Sequence, residues 1–102
     1  MAMLRHVVLI RFKAGTPDDT IREIEAAFAG LPARIPAIQA LEWGTNCSPE
    51  GKDQGFSHCF FLTFASALER DAYLPHPAHQ AFSDLLRPHR DQVLVIDYEP
   101  PA

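Results

Sequence analysis

The spacing of apolar residues changes character along the chain, and each change marks an element. Residues 4–13, LRHVVLIRFK, are rich in β-branched residues and stop at Ala14 and Gly15, which predicts a strand. Strand side chains alternate sides, so His6, Val8, Ile10 and Phe12 point one way while Val7 and Leu9 point the other with Arg11. Both faces are therefore apolar. Ile21, Ile24, Phe28 and Leu31 then recur at i, i+3, i+7 and i+10, the single stripe of a helix lying on a core. Thr16 is its predicted N-cap, with Pro17 in the first helical position, Asp18 and Asp19 at the positive end of the dipole, and Thr16 and Asp19 at capping-box spacing. Gly30 and Pro32 close it. Residues 37–46, AIQALEWGTN, alternate weakly and predict an edge strand, followed by a polar loop at 48–55. FSHCFFLTF, residues 56–64, predicts a third strand whose even positions, Phe56, His58, Phe60, Leu62 and Phe64, make a mostly aromatic face.

Ser66 and Glu69 repeat the capping-box spacing and start a helix over SALERDAYL. Pro75 must interrupt it, because proline lacks the amide hydrogen and its ring clashes with the preceding turn. Pro77 suits the first position of a new segment, along which His79, Phe82 and Leu86 fall at i, i+3 and i+7. YLPHPAHQAF, residues 73–82, is thus a broken helix carrying two imidazoles and a phenol. VLVIDY at 93–98 predicts a fourth strand. The order β-α-β-β-α-β is that of an α+β, ferredoxin-like fold: four antiparallel strands with the helices on one face. The other face would leave Val7, Leu9, Cys59 and Phe61 as an apolar patch. A two-fold homodimer with its open sheet faces packed together, a dimeric α/β barrel, covers them.

Composition narrows the possibilities. At 102 residues, one domain spanning 1–102 is expected. No apolar run approaches the ~20 residues of a bilayer span, and the start lacks a signal peptide's apolar stretch, so no membrane partner and a cytoplasmic location are expected. Cys47 and Cys59 match no metal spacing and read as free thiols. With 13 acidic and 9 basic residues the net charge is −4 and the cations are scattered, which argues against nucleic acid. An RNA-recognition module shares this element order, but its basic-glycine-aromatic signature is missing from the third strand.

The candidate chemistry is in the histidines. His6 and His58 share parity on the first and third strands, and His79 shares a stripe with Phe82 and Leu86, so all three imidazoles are expected on the helix-covered side. With Tyr73 they would surround one interior space. A lone core histidine is usually satisfied by a backbone carbonyl, but burying several unpaired polar groups costs about 1–3 kcal/mol each. Stability alone would favour Leu or Phe there. His76 reads as a cap for the second helical segment, and His89 as a cation near its end. No metal is expected: Pro77 lies between His76 and His79, and no carboxylate or cysteine completes a ligand pattern. Nucleophile motifs and glycine-rich phosphate cradles are missing.

RHVVLIRFK, IPAIQALEWG, GFSH, YLPHPAHQAF and VLVIDY, in that order, resemble the stress-responsive dimeric α/β-barrel domain (Dabb) family over nearly the full length. The resemblance implies a ferredoxin-like protomer that dimerises through its sheet. It also implies, from a polyketide cyclase in the family, aldol chemistry with no cofactor or metal. The catalytic tyrosine and last histidine of its Y-x-x-HPAH stretch fall on Tyr73 and His79, and its strand histidines on His6 and His58. Phe28 stands where that cyclase has a pocket-lining tyrosine, so the acid/base pair carries over more readily than the substrate.

The combined expectation is a cofactor-independent, cyclase- or lyase-like acid/base enzyme acting on a small carbonyl, apolar or polyketide-like compound. His79 would be the base, Tyr73 a hydrogen-bond donor to the enolate, His6 and His58 substrate contacts, and Phe28, Phe60 and Phe82 the apolar wall. The alternative is a non-catalytic, stress-associated dimer that binds a ligand or serves only structurally. A cavity of a few hundred Å³ with Tyr73 and His79 on its wall favours the enzyme. A haem monooxygenase rests on fold analogy alone.

Overall fold

Val8 lies opposite Phe60 on one neighbouring strand and Val95 on the other, and the rest of the sheet follows from that register. The computed structural model describes residues 2–102. Strand β1 (Leu4–Phe12) leads to helix α1 (Asp18–Ala29) and a 3₁₀ turn at Leu31–Ala33; β2 (Ile38–Thr45) and β3 (His58–Phe64) follow, then α2 (Ala67–Tyr73), α3 (Pro77–Leu86) and β4 (Arg90–Tyr98). The sheet order is β2-β3-β1-β4, and every pair is antiparallel. This is the ferredoxin-like fold, with β2 on an edge.

The alternation predicted for β1 is present: Leu4, His6, Val8 and Ile10 are buried toward the helices. They meet His58, Phe60, Leu62 and Phe64 of β3, which share that face. Helix α1 lays Ile24 and Phe28 on this layer, and α3 adds Phe82 and Leu86. The Phe28 ring stacks on Phe60 at 4.0 Å between centroids, and burying such a ring contributes about 1.5–3 kcal/mol. On the opposite face Val7, Leu9, Cys59 and Phe61 are half-buried, and Leu94 and Ile96 are exposed. Among the described residues no helix is long and apolar enough to cross a membrane.

Local expectations differ from the structure in three places. Pro17, not Thr16, is the N-cap of α1, and no side chain caps it; the Thr16 hydroxyl donates to the Lys13 carbonyl at 2.7 Å. Pro17 holds an extended ψ of 145°, so the helix begins one residue later, while Thr16 finds an acceptor in the preceding turn. Strand β3 starts at His58, because the Phe56 amide closes a turn on the Asp53 carbonyl. Strand β4 starts earlier than its apolar run, at Arg90, since pairing with Arg11 and Phe12 extends the ladder through polar residues. The Ser66 cap forms as predicted, accepting from the Glu69 amide.

Candidate functional site

The helix break organises the site. Tyr73 is the last residue of α2. Pro75 has no amide hydrogen, and the Ala78 amide is taken by the His76 ring at 3.0 Å, as the capping reading predicted. The Leu74 carbonyl is left without a helical donor and accepts instead from His79 Nδ1 at 2.8 Å and Gln80 Nε2 at 3.1 Å. A carbonyl can only accept, so Nδ1 carries a proton, and the neutral form of the ring has its lone pair on Nε2. The His79 ring lies 4.4 Å from the Tyr73 ring.

His6 approaches the same tyrosine from the sheet, edge-on with 5.7 Å between ring centroids. Its Nδ1 donates to Asp97 Oδ1 at 2.6 Å, directly across the β1–β4 ladder, and the other Asp97 oxygen accepts from Arg70 at 2.6 Å. That carboxylate fixes the tautomer, so His6 too keeps its lone pair on Nε2. Burial pushes the His6 pKa below its ordinary 6.5, against the pull of Asp97, with His79 and Arg70 lowering it further. His6 is therefore neutral at pH 7. Burial also pushes the Tyr73 phenol well above its ordinary range, so it stays protonated. Its hydroxyl has no protein hydrogen-bond partner among the described residues, yet no polar side-chain atom is sealed away unpaired. The hydroxyl is thus open to the adjoining cavity.

That cavity, of about 390 Å³, runs between α3 and the helix face of the sheet. His6, Phe28, Tyr73, His79 and Phe82 all line it. Phe60 lies wholly buried beneath Phe28 and does not reach it. His58 is elsewhere, which corrects the expectation of three imidazoles around one space. Its Nε2 donates to Glu25 Oε2 at 2.7 Å, and its Nδ1 accepts from the Ser57 hydroxyl at 2.7 Å. The physical reason is register: His6 pairs with Leu62 but His58 pairs with Ile10, four residues further along, roughly 13 Å at strand rise. Parity put both rings on one face without putting them together.

Sequence reasoning missed Asp97, Arg70 and Glu25, the partners that orient these rings. The available signal was Asp97 itself, a carboxylate sharing parity with the helix-facing Val93 and Val95. Cys59 lines a separate hollow on the open face, where burial and Glu42 raise its thiol pKa. Both cysteines are free. Among the described residues no group of three His, Cys, Asp or Glu side chains is placed to hold a metal.

Comparison with known proteins agrees with this architecture. A model of the stress responsive A/B barrel domain matches residues 4–100. The Arabidopsis thaliana protein HS1, a stress-response A/B barrel domain-containing protein, is 38% identical over 95% of this chain and 89% of its own length. Olivetolic acid cyclase of Cannabis sativa is 29% identical over 95% of this chain and 96% of its own. Among solved structures, the hydroxynitrile lyase of Passiflora edulis superposes with a TM-score of 0.91 at 25% identity, covering 98% of this chain and 94% of that one. A dimeric ferredoxin-like protein of unknown function from Jannaschia superposes at 0.83 with 30% identity, covering 96% and 99%.

Proposed function

The chain belongs to the stress responsive A/B barrel domain family, and on that premise we propose that it is a cofactor-independent acid/base enzyme of cyclase or lyase type, acting on a small carbonyl compound. One observation carries the reading: a phenol without a protein partner and an imidazole anchored through Nδ1 lie side by side on the wall of a cavity of about 390 Å³. Two relatives, a cyclase and a hydroxynitrile lyase, support small-molecule chemistry of this kind.

In the proposed reaction His79 Nε2 takes a proton from the carbon next to the carbonyl. The Nδ1 bond to Leu74 leaves Nε2 as the basic nitrogen of the neutral ring, and the ring cannot turn without losing that bond. Charge then grows on the carbonyl oxygen, where the neutral Tyr73 hydroxyl donates a hydrogen bond. His6, held by Asp97, offers a second fixed acceptor for a substrate hydroxyl. Phe28 and Phe82 form the apolar wall. His58 and Phe60 take no part, since neither borders the cavity.

Nuclear magnetic resonance in deuterated water tests this without knowledge of the natural substrate. With acetophenone as probe, the protein should accelerate deuterium exchange at the methyl group, and His79→Ala should abolish the acceleration. Binding with no exchange, in the native protein as in the variant, would instead select the non-catalytic ligand-binding dimer.

We also assign the open face to a homodimer contact. Dimeric neighbours support this, as do the 42% and 56% exposures of Leu94 and Ile96 beside half-buried Val7, Leu9 and Phe61. Sedimentation should give a dimer at micromolar protein, and monomer alone would remove the assignment. Two free thiols fit a cytosolic home.

A further inference from the structure

The residues lining the Tyr73–His79 cavity include two arginines, Arg87 and Arg90, and no aspartate or glutamate. Arg87 pairs with Asp84 one helical turn back, at 2.6 Å. Arg90 has neither a hydrogen bond nor an ion pair through its side chain among the described residues.

The backbone brings Arg90 there by a specific irregularity. Along the β1–β4 ladder Ile10 faces Val93 and Arg11 faces Gln92, so a regular register would set Asp91 opposite Phe12 on the helix side. The register shifts at that point, and Phe12 faces Arg90 instead. A bulge adds one residue and re-aims the side chains around it. Asp91 is drawn to Arg11 Nε at 2.7 Å, and Arg90 takes the place at the cavity. The shift thus exchanges an acid for a cation at the mouth.

We propose that this cavity takes a substrate with an anionic end, a carboxylate or a phosphate, which Arg90 grips with Arg87 beside it while the apolar body lies against Phe28 and Phe82. The planar guanidinium suits either group, because its paired N–H donors match two oxygens at once. The anion grip names the substrate class for the acid/base site and rests on that reading only for what happens to the carbonyl. Binding itself is independent of turnover.

Calorimetric titration with 2,4-dihydroxybenzoate, its uncharged methyl ester and phenyl phosphate tests the grip. The anions should bind roughly ten-fold more tightly than the ester, equivalent to ~1.4 kcal/mol, and added salt should weaken the anions selectively. Arg90→Ala should bring the ratio close to one. The better of the two anions distinguishes a free acid from a phosphate-bearing carrier. Equal binding of acid and ester, no binding of any probe, or a preference that survives Arg90→Ala overturns the proposal. If His79→Ala retains the preference while the native protein catalyses no exchange, the acid/base reading fails and the grip stands.

Discussion

Two histidine clusters lie on the same face of the sheet, and each is anchored by a carboxylate, yet they are chemically opposite. His58 uses both ring nitrogens on protein atoms, giving to Glu25 and accepting from Ser57, and is packed edge-on by Phe12 at 5.2 Å. His6 and His79 each bind the protein through Nδ1 and leave Nε2 for the cavity. The comparison teaches that burial of a histidine says little about its role. What distinguishes the two clusters is whether a ring nitrogen is left without a protein partner.

The sharpest way to break that distinction is to remove one ring from each cluster. His79→Ala should lower exchange turnover by about 10²- to 10⁴-fold, the usual contribution of a general base, with the fold intact by circular dichroism. His58→Leu should leave turnover per folded molecule within about two-fold, because its ring lies off the cavity. Comparable losses from both would erase the difference between the clusters.

Tyr73→Phe sharpens the first half of the comparison. The ring is 1% exposed and its packing is kept, while the hydroxyl has no protein partner to lose. Turnover should fall by roughly 10²-fold, in line with removal of one donor to a developing oxyanion. The chemical-denaturation midpoint should barely move.

Glu25→Leu should show the reverse profile. It leaves the His58 Nε2–H without an acceptor in a side chain only 6% exposed, costing about 1–3 kcal/mol of stability. Thermal unfolding should move down by several degrees, at about 4–8 °C per kcal/mol for a domain of this size. Turnover measured well below the transition should be unchanged.

The smallest effect is a pH dependence. Burial lowers the folded pKa of His6 below 6.5, so the unfolded chain binds the proton more readily. The native state therefore keeps its full advantage above pH 6.5 and loses it as pH falls below that value toward the folded pKa. Melting temperature should drop between pH 7 and pH 5.5 more steeply in the native protein than in His6→Gln, which cannot titrate. Parallel curves would mean that His6 is not held neutral.

Much of the cavity was legible from pattern. Tyr73 and His79 are bracketed by Pro75 and Pro77, and a proline break acts locally, so the rings it exposes can be read from neighbouring residues. His6, Phe28 and Phe82 followed from strand parity and the helical stripes. Asp97 did not, since its pairing with His6 spans 91 residues and depends on which strand lies beside β1. Thr16 shows the same limit at short range: the capping spacing was present, but the Lys13 carbonyl offered its hydroxyl another acceptor.

Sequence alone determined the elements, the faces of the strands and the breaking of the second helix, because each depends on forces acting within a few residues: backbone sterics, alternation, and the missing amide of proline. Tertiary structure decided which of the like-faced histidines meet. Strand register sets the distance along a ladder, and one face can hold residues roughly 13 Å apart, about four strand steps, as readily as neighbours. It also decided that Arg90 rather than Asp91 stands at the cavity, through a single shift in pairing against Phe12.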